Sequence, residues 1–315
     1  MRKLRIVFMG TPDFAVATLE ALVQNKFTIV GVITAPDRPA GRGQKLHESA
    51  VKKYAVAQDL QVLQPKNLKD ETFLKTLKSL EANLQIVVAF RMLPKVVWQM
   101  PAYGTFNLHA SLLPDYRGAA PINWAIINGE ATTGVTTFFI DEKIDTGAII
   151  LQKECPITSK DTAGLLHDKL MELGAELVVK TTRLVEQNNV ATIDQKNTTS
   201  SKMAPKISRE TCEVNWDLGV EKVYNHIRGL SPYPAAWTTL HTSGDSLYLK
   251  IYEVVLESIR HGLEPGTIVA DKSSMKIAAQ GGYIHLLQIQ LPGKRKMGIK
   301  DVLNGLNLDS KAHVV

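Results

Sequence analysis

The first half of the chain alternates between short apolar runs and segments in which apolar residues recur at helical spacing. Leu4 to Met9 is a short run that is apolar except for Arg5, which is typical of a strand buried on both faces of a sheet. Gly10-Thr-Pro-Asp13 predicts a tight turn, with Pro12 suited to the first turn of a helix. The spacing of Phe14 to Val23 predicts that helix.

The alternation continues to residue 188. It predicts further strands at 27–34, 60–63, 84–90, 105–108, 134–140 and 149–154, the last two pairing antiparallel, and helices at 47–58, 71–80, 122–127 and 161–188. Strands alternating with helices indicate an α/β fold, with a mainly parallel sheet covered on both faces. Ligands of such folds bind at the carboxyl ends of the strands, where the strand order switches.

The second half has a different pattern. The polar run Gln195 to Lys202 indicates a linker or an exposed loop. Beyond it, short strands are predicted at 237–240, 247–256, 266–270, 275–279 and 283–290, separated by turn residues, and this pattern is typical of a small β-barrel. We therefore expect an N-terminal domain at 1–189, a linker at 190–207 and a C-terminal barrel at 208–315.

Composition agrees with a two-domain globular protein of 315 residues, 44% of them hydrophobic and 22% charged. The net charge of +6 permits a polyanionic partner without requiring one. Two widely spaced cysteines suit a reducing compartment. The N-terminal apolar run is too short for a signal peptide, and we find no run of membrane-spanning length, so we expect a cytoplasmic protein.

Nucleotide-binding fingerprints are missing from the sequence. It contains neither GxGxxG nor GxxxxGK[ST], and the turn after the first strand does not resemble a pyrophosphate cradle. These observations argue against a dinucleotide enzyme.

Asn107 and His109 stand two residues apart at the end of a predicted strand, so that alternation places both side chains on one face. Attack of an amine on an acyl carbon produces an oxyanion, which an amide or a protonated imidazole can stabilise by donating a hydrogen bond. The alternative for these two residues is a turn-forming asparagine and a buried structural histidine.

A second polar stretch, Asp141-Glu-Lys-Ile-Asp145-Thr-Gly147, joins two predicted strands. An aspartate in this loop can orient a nearby histidine or accept a proton. Both Asp141 and Asp145 qualify by position, and the alternative is an aspartate that caps backbone N–H groups.

Together the two stretches form the pattern Asn-x-His-x-Ser-Leu-Leu-Pro-x-Tyr-Arg-Gly-x-x-Pro followed by Asp-x-x-x-Asp-x-Gly, which resembles the folate-dependent formyltransferase family. The resemblance implies a Rossmann-like catalytic domain with a C-terminal barrel of OB type. It also implies catalysis by Asn107, His109 and Asp145 without a metal. The folate site implied by the resemblance comprises Ser111, Leu112, Leu113, Pro114, Phe90, Arg91 and Asp141.

Within that family, the members that act on methionyl-tRNA resemble this chain over nearly its whole length. The shared stretches are 8–14, 36–43, 87–90, 227–237 and 291–297. This resemblance implies transfer of the formyl group of 10-formyltetrahydrofolate to the α-amino group of methionine on initiator methionyl-tRNA, for translation initiation. No membrane and no obligate protein partner are implied.

Two basic clusters suit contact with tRNA. The loop at 36–43 and its continuation carry Arg38, Arg42 and Lys45, which can reach phosphates, and the predicted barrel carries Lys294, Arg295 and Lys296. The alternative for both clusters is a solvated surface.

Some positions differ from the family pattern. Ala110 stands where glycine is common, Phe90-Arg91-Met92 replaces a Tyr-Gly-like stretch beside the folate site, and Gln44 stands where lysine is frequent. For Arg91 two outcomes are open, contact with the glutamate tail of folate or an outward orientation.

Three other functions share part of this pattern. A formyltransferase for a small amine, such as glycinamide ribonucleotide or an amino sugar nucleotide, shares the catalytic pattern, and the glycinamide ribonucleotide enzyme leaves the barrel and the basic loop unexplained. A hydrolase that releases formate from the same folate leaves the second domain unexplained. An inert RNA-binding protein does not explain the complete set of Asn107, His109 and Asp145.

Overall fold

The structure is a computed structural model, and it describes residues 1–40, 45–195, 202–309 and 311–315. The chain divides into two compact units. The first comprises Met1–Gly118, Thr132–Pro156 and His167–Met203, and the second comprises Ala119–Ala131, Ile157–Leu166 and Ala204–Val315.

The strands and helices are numbered in the order in which they occur along the chain. The strands of the described residues are β1 (Ile6–Gly10), β2 (Ile29–Ile33), β3 (Arg38–Ala40), β4 (Lys45–His47), β5 (Val62–Leu63), β6 (Leu84–Val88), β7 (Thr105–His109), β8 (Arg117–Gly118), β9 (Thr132–Phe139), β10 (Ile149–Pro156), β11 (Met203–Ala204), β12 (Ala236–His241), β13 (Ser246–Ser258), β14 (Ile268–Ala270), β15 (Met275–Ala279), β16 (Gly282–Gln290), β17 (Met297–Gly298) and β18 (His313–Val314). The α-helices are α1 (Asp13–Gln24), α2 (Ala50–Ala57), α3 (Glu71–Ser79), α4 (Lys95–Trp98), α5 (Pro121–Ile127), α6 (Ala163–Glu186), α7 (Val220–Leu230) and α8 (Ile299–Leu303).

The first unit is built on one sheet with the strand order β10-β9-β7-β6-β1-β2-β5. The pairs β5–β2, β2–β1, β1–β6 and β6–β7 are parallel, whereas β7–β9 and β9–β10 are antiparallel. The mainly parallel α/β sheet and its antiparallel pair are therefore confirmed. Strand order reverses between β1 and β6, so a ligand cleft is expected at the carboxyl ends of the neighbouring strands.

The turn between β1 and α1 shows why the chain folds this way locally. Every residue of β1 is buried, as the apolar run predicts. A Cβ on Gly10 would come within 2.5 Å of the Ala15 Cβ, so only glycine allows the helix to lie this close to the strand. The buried face of α1 includes Phe14, Leu19 and Leu22. Each such side chain contributes about 1.5–3 kcal/mol when fully buried.

The stretch after β2 differs from its predicted form. The sequence pattern predicts a helix from residue 47, but the chain forms the hairpin β3–β4, and α2 begins only at Ala50. The reason is Ser49, whose hydroxyl accepts a hydrogen bond from the Lys52 N–H at 3.0 Å and caps the helix. Asp37, at the base of the hairpin, accepts a bond from Gln64 at 2.8 Å and pairs with Lys52.

The second unit contains the predicted barrel. Its antiparallel sheet has the strand order β14-β15-β16-β13-β12-β18, with β17 beside β16. The Val314 N–H donates to the Gly266 carbonyl at 3.0 Å and nearly closes the barrel. The antiparallel barrel is therefore confirmed. Its core contains apolar residues of the strands and of α7, among them Ile251, Ile277 and Ile289.

Helix α7 is absent from the elements predicted above. It buries Val220, Val223, Ile227 and Leu230, which recur every three or four residues. That spacing is a helical signal, although Gly229 and the proline-rich stretch after it obscure the end of the helix.

No helix in the described ranges is long and apolar enough to cross a membrane.

Candidate active site

Strand β7 presents the two polar residues that the sequence singles out. It pairs with β6 and β9, and Asn107 stands opposite Val87 and Phe138. Phe106 and Leu108 alternate with Asn107 and His109 and are buried, so the apolar positions hold the strand in the sheet. The two polar side chains therefore leave the same face of the strand, near its carboxyl end.

His109 is 7% exposed and has a neighbour for each ring nitrogen. Its Nε2 lies 2.9 Å from the Tyr116 carbonyl oxygen, which only accepts, so Nε2 carries a proton and donates it. Its Nδ1 lies 3.8 Å from Oδ2 of Asp145. This distance is too long for a hydrogen bond but short enough for the carboxylate to stabilise a positive charge on the ring.

The Asn107 side chain is half-buried. It makes no hydrogen bond with any residue that the structure describes. An amide side chain carries N–H groups of the kind that donate to an oxyanion.

Asp145 occupies an unusual backbone conformation in the loop between β9 and β10. Its φ of +56° lies in the left-handed region, which costs a non-glycine residue roughly 1–2 kcal/mol. Its Oδ2 accepts a bond from the Gly118 N–H at 3.0 Å. Gly147 is required nearby, because a Cβ there would lie 1.6 Å from the Phe139 carbonyl oxygen. The loop can therefore hold the carboxylate at one position.

Asp141, the other candidate in this loop, has a different environment. Its Oδ1 accepts bonds from the Lys143 N–H at 3.0 Å and the Thr146 hydroxyl at 2.7 Å. This is the capping role that is the alternative for a loop aspartate. The geometry therefore favours Asp145 as the partner of His109.

The predicted folate residues 111–114 form a buried turn. The Ser111 hydroxyl is fully buried and donates to the Asp115 carbonyl at 2.6 Å. Thr136 bridges the turn, donating to the Ser111 carbonyl at 2.6 Å and accepting from the Leu113 N–H at 3.1 Å. Leu113 is 3% exposed, whereas Leu112 and Pro114 are partly accessible. Contact of these residues with folate stays a prediction.

Phe90 and Arg91 follow β6 after a left-handed residue, Ala89, with φ +47°. The Arg91 guanidinium donates to the Lys66 carbonyl at 2.9 Å and lies 5.6 Å from the Phe90 ring centroid. Burial lowers the pKa of Arg91, and the nearby charge of Arg38 lowers it further.

A pocket of about 430 Å³ opens at Arg91. It is lined by Lys66, Asn67, Leu68, Lys69, Arg91, Met92, Leu93 and Pro94. Three of these side chains are cationic, so the pocket suits an anionic group.

The predicted tRNA contacts of the first unit are only partly described. Arg38 is exposed in the hairpin strand β3. Arg42 lies outside the described residues. Lys45 belongs to β4, but its side chain lies outside the described part of the chain.

The cations predicted for the barrel lie between β16 and β17. Lys294, Arg295 and Lys296 are all exposed. The Lys296 ammonium lies 4.7 Å from the centroid of the Tyr252 ring, a cation–π distance.

Among the described residues, no group of three or more His, Cys, Asp or Glu side chains is arranged to hold a metal ion. The expected absence of a metal stays a prediction.

Arg117 and Gln195 also contact the site, although no sequence pattern assigns them a role. The polar run that starts at Gln195 predicts an exposed side chain, but Gln195 is 3% exposed and shares with Arg117 the backbone carbonyl of Asp145. The Arg-Gly pair of the motif is a usable signal for Arg117. A lone glutamine in a polar run provides no such signal.

Two family models match the chain. Residues 4–182 match the formyl transferase model, and residues 206–307 match the model of the formyl transferase C-terminal domain.

Relatives match over the full length. The chain is 56% identical over 314 residues to the methionyl-tRNA formyltransferase of Flavobacterium johnsoniae, covering 100% of both chains. It is 51% identical over 310 residues to that of Bacteroides fragilis strain ATCC 25285, covering 97% of this chain and 96% of the relative.

A similar solved structure is WlaRD, a sugar 3N-formyl transferase solved in the presence of dTDP and 5-N-formyl-THF. The TM-score is 0.65 at 21% identity, covering 94% of this chain and 100% of that one. This likeness supports the fold.

Proposed function

This chain belongs to the formyl transferase family, and from that premise we propose that it transfers the formyl group of 10-formyltetrahydrofolate to the α-amino group of methionine on initiator methionyl-tRNA. The observation that carries the proposal is the similarity to methionyl-tRNA formyltransferases along the whole chain. The product, N-formylmethionyl-tRNA, serves translation initiation, and we place the reaction in the bacterial cytoplasm.

The reaction needs no covalent intermediate on the enzyme, because the nucleophile belongs to the substrate. The methionine α-amine attacks the formyl carbon and forms a tetrahedral intermediate with a negatively charged oxygen. The bond from this carbon to N10 of the folate then breaks, and the amine proton passes to N10. No metal is part of this proposal.

Asn107 is assigned to the oxyanion. Its amide is free of hydrogen bonds to described residues, and it lies on the same strand face as His109. An amide donor aimed at a developing oxyanion contributes about 3–4 kcal/mol to transition-state stabilisation.

His109 and Asp145 are assigned to charge and proton transfer. The carboxylate 3.8 Å from Nδ1 stabilises a protonated His109, whose positive charge in turn stabilises the oxyanion. Direct donation from Nε2 to substrate requires release of its bond to the Tyr116 carbonyl. Asp145 then helps to move the amine proton toward N10.

We assign the binding of folate to the residues around Asn107, His109 and Asp145. Phe90, Asp141 and the turn at 111–114 are proposed to surround the pterin and its linkage. Arg91 and the lysines of its pocket, Lys66 and Lys69, offer positive charge to the glutamate carboxylates.

We assign the binding of tRNA to cationic side chains in both domains. We propose that the catalytic domain at 1–189 contributes Arg38, Arg42 and Lys45. The linker at 190–207 leads to the barrel at 208–315, which contributes Lys294, Arg295 and Lys296. The exposure of Arg38 and of the barrel cluster supports contact with phosphates.

The test is a comparison of amine acceptors with 10-formyltetrahydrofolate as donor. Initiator methionyl-tRNA, free methionine, glycinamide ribonucleotide and a dTDP-linked amino sugar are supplied in parallel, and formylated product is measured. We expect product with the tRNA alone. Product only with a small amine would contradict the proposed acceptor, and release of formate without transfer would contradict the proposed reaction.

A further inference from the structure

Two side chains outside the proposed catalytic set hold the backbone of Asp145. Its carbonyl oxygen accepts a bond from Arg117 Nε at 2.9 Å and lies 3.3 Å from Gln195 Nε2, which also donates to it. These bonds act on a residue whose φ of +56° lies in the left-handed region, which is uncommon for a non-glycine residue. The conformation therefore persists because its surroundings hold it.

Arg117 and Gln195 are also bonded to each other. The Arg117 guanidinium donates from Nη2 to Gln195 Oε1 at 2.6 Å. Gln195 Nε2 donates to the Gly147 carbonyl at 2.6 Å, two residues beyond Asp145. The glutamine amide thus joins the arginine to both sides of the turn in which Asp145 lies.

The position of Gln195 is fixed from the sheet. Two residues earlier, Ile193 exchanges backbone hydrogen bonds with Ile149, the first residue of β10, and both are 2.8 Å long. Gln195 itself is 3% exposed. Its amide is therefore anchored to the strand that follows the Asp145 loop.

Strand β8 completes the arrangement. Arg117 supplies its side chain, and Gly118 supplies the N–H that binds Asp145 Oδ2 at 3.0 Å. Consecutive residues of one strand thus hold Asp145: Arg117 binds its backbone carbonyl, and Gly118 binds its carboxylate. Displacing the carbonyl would rotate the carboxylate away from His109 Nδ1.

We propose that Gln195, acting with Arg117, is a positioning residue for the transfer reaction: it locks Asp145 in its left-handed conformation so that the carboxylate faces His109. The inference rests on the proposed function in one respect, because it takes Asp145 as a catalytic group. Gln195 acts through the Asp145 backbone and touches no reacting atom.

A glutamate at position 195 would not replace the glutamine. It could still accept the Arg117 bond, but it would have no N–H for the carbonyls of Asp145 and Gly147 and would set a charged oxygen against them. Gln195→Glu therefore removes the N–H donor of the amide and keeps an acceptor oxygen, whereas Gln195→Met removes both the donor and the acceptor.

The experiment measures formyl transfer to methionyl-tRNA for both variants, with Gln85→Met as the control. Gln85 is equally buried and accepts a bond from Thr105, at the opposite end of β7 from His109. We expect kcat to fall about 10- to 100-fold in both Gln195 variants, while KM for folate and tRNA changes less than about 3-fold. In Gln85→Met we expect kcat to stay near the wild-type value. Wild-type kcat in a folded Gln195→Glu protein, detected by circular dichroism, would overturn the proposal.

A double variant decides whether Gln195 acts through Asp145. If it does, Gln195→Met added to Asp145→Asn lowers the remaining activity no further, because the carboxylate to be positioned is already gone. Independent, multiplicative losses would overturn the proposal. Failure of the proposed function looks different, because then the wild-type enzyme itself transfers no formyl group or Asp145→Asn retains full activity.

Discussion

The Nδ1 of His109 lies 3.8 Å from Oδ2 of Asp145, and both residues are held by the same short stretch of backbone. The Tyr116 carbonyl binds the other nitrogen of the ring, and the Gly118 N–H binds the same carboxylate oxygen. The pair therefore keeps its separation without a direct hydrogen bond. This arrangement places a carboxylate on one side of the imidazole ring and a carbonyl oxygen on the other.

Replacing Asp145 with asparagine tests the electrostatic part of this arrangement. The amide oxygen can still accept the Gly118 bond, but the negative charge beside His109 is removed. We expect kcat to fall about 100-fold or more, as for loss of a proton-transfer partner. Asp168→Asn is the control, since Asp168 is an exposed aspartate 3.0 Å from His167 on α6. Equal kcat in the two variants would contradict the role of Asp145.

Removing the Arg91 side chain tests the anionic pocket. Arg91→Ala should raise KM for folate about 2- to 5-fold, the range for an exposed ion pair. The increase should be larger for a polyglutamylated folate, because it carries more carboxylates. Steady-state kinetics with mono- and triglutamate donors measures this, with the exposed Lys78→Ala as control. An unchanged KM for both donors would exclude Arg91 from folate binding.

Removing charge from the barrel cluster tests the binding of tRNA there. Lys294→Ala combined with Arg295→Ala should raise KM for tRNA by about 5-fold. The dependence of log KM on log salt should become less steep by roughly one for each phosphate that the variant no longer neutralises. Lys272→Ala, an exposed lysine in the turn between β14 and β15, is the control. A change of the same size in the control would show that general charge is responsible.

The burial of His226 on α7 predicts that the stability of the fold depends on pH. Burial lowers its pKa below the usual 6.5, and its Nε2 has no hydrogen-bond partner among the described residues. The unfolded chain therefore binds this proton more readily than the folded one. The contribution of neutral His226 to the free energy of unfolding is fully present above about pH 6.5. It is lost as the pH falls toward the lowered pKa of the folded state, by up to about 1.4 kcal/mol per pH unit.

Urea unfolding between pH 7 and pH 5 measures the effect. His226→Leu should show a shallower decline with pH than the wild type, whatever its absolute stability. Parallel declines in the two proteins would rule out His226 as the cause.

Much of the fold follows from the hydrophobic pattern. The mainly apolar runs of β1 and β6 predict buried parallel strands, and alternation predicts the strands of the barrel. Local chemistry explains what the pattern misses. The start of α2 depends on the Ser49 cap, and the hairpin β3–β4 consists of polar, proline-containing segments that look like a loop.

The proposed site is predictable as far as its motif extends. Asn107, His109 and Asp145 belong to that motif, and the structure brings His109 and Asp145 together. Gln195 is not predictable, because its role depends on the bridge between Ile193 and Ile149, residues far apart in sequence. The choice between Asp141 and Asp145 also needs coordinates, since both lie in the same loop.

The decisive measurement is single-turnover formyl transfer to initiator methionyl-tRNA by the wild-type protein and by Asn107→Ala. We expect transfer by the wild type and a rate lower by about two to three orders of magnitude in the variant, the cost of one oxyanion donor, with folate binding unchanged. No transfer by the wild type would contradict the proposed reaction, and a wild-type rate in Asn107→Ala would contradict the proposed oxyanion donor.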